Sequence, residues 1–370
     1  MFNVESRYVC IIIPVLNESN TINDLVESII TNSELSETYT IIIDDGSTDG
    51  TSEIIHDLDK KYKNVNIIER GYKKGFGTAI RDGFNYVLNL KPIPDLVVTM
   101  DGDLSHDPRQ LFNLTKECKQ NSIIVGSRYI KGGKISGWSL YRKTLSWGAN
   151  LITKVFINLP VKDCTSGYRC YGVSALKEIL PNLRSEGYEI QVEILTIAHR
   201  QGFKINEVPI VFLDRIKGES KLSSKEIWSF FRKLFTLFKL SGEWKRVLQF
   251  SIVGISGLIV NETLLWALTE IGGLYYLFSS IVSTESAILN NFVWNELWTF
   301  HDTHDDLKSG IFERLFKFHI SRFGSTILGI FLLIILTEIF SVHYLISNIF
   351  SILILIVYNY VTSKEWVWVS

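Results

Sequence analysis

Cysteine is scarce in this chain. The four residues, Cys10, Cys118, Cys164 and Cys170, form no CxxC pair and have no matching histidine pattern. That argues against a disulfide framework or a zinc centre and for reduced thiols in a cytosolic compartment. Excess charge is missing too. With 38 Lys and Arg against 39 Asp and Glu the net charge is −1, and without a basic excess the chain is poorly suited to the phosphate backbone of nucleic acid. There is no Walker loop and no full GxGxxG fingerprint, which excludes P-loop NTPase and Rossmann dehydrogenase readings. The opening MFNVESRYVC lacks the basic region and apolar run of a signal peptide, so the polar half is expected to stay on the side of the membrane where it is made.

What the 370 residues do contain is unevenly distributed, and a chain of this length has room for two domains. Charged residues are spread through roughly the first 245 positions, and long apolar stretches follow Arg246. This is the pattern of a soluble domain followed by a membrane domain. We place the soluble domain at 1–222, an amphipathic interface segment at 223–246 and a four-helix transmembrane domain at 247–370.

The four spans run from about Val247 to Ile271, Tyr275 to Leu297, Leu315 to Phe340 and Val342 to Val361, each near the ~20 residues needed to cross a bilayer core. No Lys or Arg stands around Gly272 and Gly273 or in the turn from Ser341 to His343. Lys245, Arg246, Lys308, Arg314, Lys317 and Lys364 cluster at the other ends. By the positive-inside rule both termini and the middle loop are cytoplasmic, with Trp294, Trp298, Trp366 and Trp368 at the interfaces. Asn261, Glu262, Glu285, Asn290 and Asn291 fall inside spans, where polar groups are functional or form interhelical hydrogen bonds; we favour the latter. Across 223–246, Phe231, Leu234, Phe235 and Phe238 recur at helical spacing among Arg232, Lys233, Lys239, Lys245 and Arg246. This predicts a basic amphipathic helix lying in the membrane interface.

In the polar half, short apolar runs alternate with helix-length amphipathic segments. Strands are predicted at Tyr8 to Ile13, Tyr39 to Ile43, Asn66 to Ile68, Leu96 to Met100 and Ile123 to Val125, with helices at Thr21 to Ile30 and Thr51 to Lys61. Such alternation predicts an α/β fold with a largely parallel sheet covered on both faces. Ligands of such sheets bind beyond the carboxyl ends of the strands.

Carboxylates stand at those ends. Asp101-Gly102-Asp103 follows the strand LVVTM, and two carboxylates so spaced can share one hard divalent cation, Mg²⁺ or Mn²⁺, that stabilises a diphosphate leaving group. A DxD by itself is a common surface-loop pattern, but here it has company. IIIPVLNES carries Pro14, Asn17 and Glu18, and IIIDDGSTDGT carries Asp44, Asp45, Gly46 and Ser47. A carboxylate there can accept hydrogen bonds from a nucleobase or ribose, Gly46 permits a tight turn, and Ser47 and Asp49 read as helix caps. Lys74 opens KKGFGTAIRDG, in which Gly75 and Gly77 are expected to let the backbone approach a ligand.

Taken in order, IIIPVLNE, IIIDDGSTDGT, KKGFGTAI and MDGDLSHDP resemble the nucleotide-sugar domain of inverting GT-A glycosyltransferases over the first 220 or so residues. GSRYIKGG, LYRKTLSWGAN, DCTSGYRCY, YEIQVEIL, EVPIVF and DRIKGESKLS resemble dolichyl-phosphate mannose synthases. QFSIVGISG, NNFVWNELWTF and KEWVW look like the four-helix GtrA-type membrane domain attached to some of them. The resemblance implies a Rossmann-like GT-A catalytic domain, an all-α transmembrane domain, and transfer of mannose from GDP-mannose to dolichyl or another polyisoprenyl phosphate with inversion. It implies nucleotide-sugar binding by Pro14, Leu16, Glu18, Ile42, Asp44, Asp101, Gly102, Asp103, Arg215 and Lys221. Metal binding would fall to Asp101, Asp103 and Ser105, the last standing where the family often has Gln. Arg128, Arg142 and Ser146 match the cradle of the lipid phosphate, and Asp103, Arg128 and Arg142 are the catalytic candidates. Arg215 and Lys221, with Gly218 as hinge, match a loop that closes over diphosphate and acceptor.

The chemistry agrees with an acceptor of this kind. A phosphate monoester is largely ionised near neutral pH, its second ionisation lying near ~6, so no general base is required, and His106 and Glu193 are not needed as bases. Two anions must instead be brought together and a diphosphate stabilised as it leaves. Rival readings are a UDP-glucose-dependent transferase on the same scaffold and a lipid-sugar flippase or scaffold with a degenerate transferase domain. A processive polysaccharide synthase should carry QxxRW, which is absent.

Overall fold

The computed structural model describes residues 7–32, 37–214, 224–302 and 309–368, with side chains for all of these except 141 and 224–231. The chain divides into two units, Met1–Ser241 and Gly242–Ser370, a division that falls within the segment 223–246.

The first unit starts as the sequence pattern requires, with β1 (Tyr8–Val15), α1 (Ile22–Ile30), β2 (Glu37–Asp44), α2 (Thr51–Lys61), β3 (Val65–Glu69), α3 (Phe76–Leu88) and β4 (Leu96–Thr99). It continues through α4 (Leu111–Glu117), β5 (Ser122–Ser127), β6 (Lys134–Ser136) and α5 (Leu140–Ile157). After these come β7 (Arg169–Gly172), α6 (Val173–Ile179), α7 (Ile190–Arg200), β8 (Lys204–Pro209), β9 (Val211–Leu213) and α8 (Ser224–Ser241). The main sheet has the order β3-β2-β1-β4-β7-β5-β8. It is parallel except at β7, which runs antiparallel to both β4 and β5. A second, two-stranded sheet pairs β6 with β9.

The strands read as unbroken apolar runs because both faces are covered. Alternation along β1 sends Cys10 and Ile12 into one core and Val9, Ile11 and Ile13 into the other. The first core is closed by α3, α6, α7 and α8 through residues such as Phe84, Leu176, Ile194 and Leu237. The second is closed by α1, α2 and α4 through Leu25, Ile55 and Leu114. Each such side chain contributes roughly 1.5–3 kcal/mol on burial. The predicted interface helix therefore commits part of its apolar stripe to this core. Leu234 and Leu237 are buried, Phe238 packs edge-on against Phe156 at 5.3 Å, and Phe235 remains 59% exposed.

The second unit is helical: α9 (Glu243–Trp266), α10 (Tyr276–Trp294), α11 (Ile311–Ile334) and α12 (Tyr344–Thr362), each continued by a short π-helical turn. Four spans are expected from the sequence, but among the described residues three helices are long and apolar enough, Glu243–Ile271, Ile311–Ile339 and Tyr344–Val367. The remaining helix, α10, is diluted by Ser279, Ser280, Ser283, Thr284, Glu285, Ser286, Asn290 and Asn291. Several intramembrane polar groups pair between helices, as favoured above: Asn290 Nδ2 donates to Ser256 Oγ at 2.9 Å, Thr284 Oγ1 to Asn261 Oδ1 at 3.5 Å, and Glu285 meets His319 at 2.8 Å.

This unit is a tandem repeat of one helical hairpin. Glu243–Trp266 recurs as Ile311–Ile334 and Tyr276–Trp294 as Tyr344–Thr362, at one constant offset in residue number. The π-helical turns Ala267–Ile271 and Asn295–Thr299 recur at the same offset as Ile335–Ile339 and Ser363–Val367. Packing follows suit. Ser279 and Ser283 are buried like their counterparts Ser347 and Ser351, and Phe250, Phe292 and Phe300 like Phe318, Tyr360 and Trp368. Buried small residues let helices approach closely where no water-driven force assembles them.

Candidate active site

Parallel pairing of β1 with β2 and β4 sets Val15 opposite Asp44 and Ile12 opposite Thr99, so the segments that leave these strands gather at one sheet edge. They border an open cleft of about 740 Å³ lined by Pro14, Leu16, Glu18, Asp45, Lys73, Gly75, Phe76, Asp101, Gly102, Asp103, Gly187 and Tyr188, among others. Gly102 is required between the two aspartates, since an added Cβ would meet Val15 Cγ1 at 2.8 Å. Leu104, at φ 61°, then turns the chain back so that the Ser105 N–H donates to Asp103 Oδ1 at 3.1 Å. His106 is fully enclosed. Its Nδ1 accepts the Asp101 N–H at 3.0 Å, and its ring stacks on Tyr168 at 4.8 Å and meets Phe212 edge-on at 5.3 Å. Burial pushes its pKa below the ordinary imidazole value, against the pull of Asp101 and Asp103. His106 thus fixes the Asp101 backbone.

Asp101 and Asp103 fit a divalent cation, with oxygen donors of the kind Mg²⁺ and Mn²⁺ prefer. Ser105 Oγ is buried without a hydrogen-bond partner, a hydroxyl left over for a further bond. No cluster of three or more His, Cys, Asp or Glu suited to a metal occurs among the described residues.

Of the residues assigned to the nucleotide sugar, Pro14, Leu16, Glu18, Asp101, Gly102 and Asp103 border the cleft. Ile42 is wholly buried within β2. Asp44 is absorbed by the turn into α2: Oδ1 accepts the Ser47 N–H at 2.9 Å and the Ser47 hydroxyl at 2.6 Å, and Oδ2 accepts the Ser52 hydroxyl. Its neighbour Asp45 is the carboxylate that reaches the cleft wall, where it accepts Arg70 Nη1 at 2.7 Å and the Lys74 and Gly75 N–H groups at 2.8 and 3.0 Å. Neither Ser47 nor Asp49 is the N-cap of α2: that position is Gly50, which makes no side-chain cap bond, while Ser47 is tied to Asp44 and Asp49, one residue earlier than the cap, accepts the Thr51 N–H at 3.1 Å. Gly75 and Gly77 do serve close backbone approach, but to protein. A Cβ on Gly75 would meet Glu186 O at 2.6 Å, and one on Gly77 would meet Ser185 O at 2.7 Å. Arg215, Gly218 and Lys221 lie outside the described residues.

Arg128, Arg142 and Ser146, assigned to the lipid phosphate, are not among the residues that line this cleft; they belong to a basic and aromatic cluster. Arg128, at the end of β5, is gripped by Asp163, which accepts Nε and Nη2 at 2.7 Å each and the Arg128 N–H at 3.0 Å; Nη2 also donates to Thr165 Oγ1 at 2.8 Å. Burial opposes the guanidinium charge, yet the Asp163 carboxylate outweighs it and Arg128 is held above its ordinary pKa. Burial likewise pushes the Asp163 carboxyl up, but Arg128 overcomes it and the pKa is lowered. Arg128 lies 5.4 Å from the Trp138 ring and 5.3 Å from Phe212. Arg142, in the first turn of α5, sits 4.2 Å over the same Trp138 and donates to Asp214 Oδ1 at 2.9 Å. Ser146, one turn further along α5, accepts from Tyr129 OH at 2.8 Å. The aspartate pair and the two arginines are therefore joined by one run of contacts: Asp101, His106, Phe212, Arg128, Trp138 and Arg142.

Sequence reasoning did not single out Asp163, Trp138, Phe212, Arg70 or Tyr188. Asp163, Tyr188 and Phe212 stand in the quoted motifs DCTSGYRCY, YEIQVEIL and EVPIVF, and for Asp163 there was also a physical signal, since an arginine buried at a strand end needs a carboxylate partner.

Residues 10–180 match the family described as glycosyl transferase family 2, and residues 249–368 match the GtrA/DPMS transmembrane domain. A dolichol-phosphate mannosyltransferase of Pyrococcus furiosus is 36% identical over 98% of this chain and 99% of its own length. An undecaprenyl-phosphate mannosyltransferase of Micrococcus luteus is 36% identical over 50% of this chain and 76% of its own. A polyprenol monophosphomannose synthase of Mycolicibacterium smegmatis is 32% identical over 59% and 82%.

Proposed function

Because this chain belongs to the dolichol-phosphate mannosyltransferase family, we propose that it transfers mannose from GDP-mannose to dolichyl or a related polyisoprenyl phosphate, with inversion at the anomeric carbon. It is a glycosyltransferase with a membrane domain. The observation that supports the finer reading is the contact run from Asp101 through His106, Phe212, Arg128 and Trp138 to Arg142, which links the acidic strand end to the two arginines.

Pro14, Leu16, Glu18 and the Asp101–Asp103 segment hold the nucleotide sugar in this reading, and Asp101, Asp103 and Ser105 hold Mg²⁺ or Mn²⁺. Such an ion, when bound, neutralises the diphosphate and stabilises it as a leaving group. Arg142, with its side chain 29% exposed, and Ser146 receive the acceptor phosphate; a guanidinium fork suits that anion. Arg128, its position fixed by Asp163, adds its charge from behind. The acceptor oxygen is already ionised, so no side chain need remove a proton, and His106 is occupied in holding the main chain. Arg215 and Lys221 are assigned to the nucleotide sugar in the same reading. The distribution of Lys and Arg supports a cytoplasmic catalytic unit and cytoplasmic termini.

The test uses full-length protein in vesicles with Mg²⁺ or Mn²⁺, polyisoprenyl phosphate and radiolabelled GDP-mannose, UDP-glucose or UDP-GlcNAc in turn. Lipid-phase label from GDP-mannose in β linkage is expected. Label from UDP-glucose alone, or an α-linked product, overturns the reading. Asp103→Ala should abolish transfer, with a fall in stability of no more than about 1–3 kcal/mol from the lost acceptor of the Ser105 N–H, and retained transfer would remove Asp103 from the site.

A further inference from the structure

Glu193, on α7, is buried and has no place in the chemistry above. Its Oε2 accepts the main-chain N–H groups of Arg184 at 3.0 Å and Ser185 at 2.7 Å, and its Oε1 faces Lys233 Nζ of α8 at 3.1 Å. Burial pushes the carboxyl pKa up, but those main-chain donors hold it below the ordinary value. The loop anchored this way runs directly to Gly187 and Tyr188, both in the cleft wall. It also holds the neighbouring wall, because Glu186 O accepts the Gly77 N–H at 2.7 Å and Tyr188 stacks on Phe76 at 4.8 Å. Lys233 immediately precedes Leu234, which with Leu237 is buried in the core. Helix α8 is in turn the last element before the membrane unit.

We propose that Glu193 is a positioning residue for the donor cleft, and that its ion pair with Lys233 makes donor binding depend on how α8 is seated. This rests on reading the cleft as the donor site. A carboxylate that grips two adjacent N–H groups fixes the height of the loop, and Lys233 fixes the carboxylate. Releasing either lets Tyr188 and Phe76 shift together, and a small misplacement remote from the reacting atoms costs heavily in rate or binding.

Initial rates of full-length Glu193→Gln, Lys233→Met, Lys233→Arg and the Glu193→Gln/Lys233→Met double variant are measured in vesicles against donor and acceptor separately. The first two should each raise the donor KM about ten-fold with the acceptor KM unchanged. The double variant should be no worse than Glu193→Gln, and Lys233→Arg should restore the donor KM. An unmoved donor KM, a parallel rise in acceptor KM, or additive losses in the double variant overturns the proposal. Should Glu193→Gln fail to fold, Lys233→Met decides alone, since the Lys233 side chain is 21% exposed. The wild-type donor panel is a separate readout. If the wild type uses another donor, the mannose reading fails, and the KM comparison is made with that donor.

Discussion

Asp163 shows how much of the site rests on a residue that need not touch substrate. Three of its hydrogen bonds go to Arg128 and fix that side chain among Tyr129, Trp138 and Phe212. Asp163→Asn would leave a buried guanidinium without its counter-charge, a loss of about 3–5 kcal/mol for a pair of this kind, read as a fall in thermal midpoint together with lost transfer. The pH dependence has a definite sign. The folded-state pKa of Asp163 is lowered, so the folded protein binds fewer protons there than the unfolded chain. The associated stability is present above the unfolded carboxylate value of ~3.9 and is lost as pH falls through the folded one. Acid unfolding followed by circular dichroism should therefore be less steep in Asp163→Asn, and an unchanged acid limb would contradict this account.

Among elements, the segment from Lys73 into the first turn of α3 at Gly77 and the loop from Arg184 to Tyr188 are packed backbone to backbone, which makes glycine at Gly77 a steric requirement. Gly77→Ala would place a Cβ within 2.8 Å of Ser185 O, Glu186 C and Gly187 O. Forcing those segments apart should cost about 1–3 kcal/mol and weaken donor binding, measured as a lower thermal midpoint and a raised donor KM. The sequence exposed the role of Gly77 as a point of close approach but not its partner, because Ser185 and Glu186 are distant in sequence and have no motif of their own. Similar reasoning separates the strands that were legible from those that were not. β1, β2, β4 and β5 are apolar runs buried on both faces, and pattern suffices to find them. β7, only Arg169–Gly172, is too short and irregular to show a period, although it supplies the one antiparallel strand of the main sheet. Of Asp44 and Asp45, the resemblance assigns only Asp44 to the nucleotide sugar, whereas Asp45 is the one in the cleft wall. The twist of the turn after β2 decides which carboxylate enters the cleft and which is spent on Ser47 and Ser52.

At the scale of the molecule, the polar half and the apolar half are visible from composition alone, and both units are present. The hairpin repeat escaped notice because helix packing constrains residue size and burial more than identity, so the two copies agree in where they bury small and aromatic groups and diverge elsewhere. That divergence turns one half of the membrane unit into a reference for the other. Where the first hairpin has Glu262 and Glu285, the second has Ile330 and Leu353 at the matching positions. Glu262→Ile and Glu285→Leu should therefore change unfolding stability by no more than about 1 kcal/mol, measured by denaturation in micelles, and a larger loss would mean that the carboxylates belong to the scaffold. The chain carries its own control experiment, one hairpin written twice, and a carboxylate that one copy keeps where the other has an aliphatic side chain marks a position at which the shared helical packing does not itself call for charge.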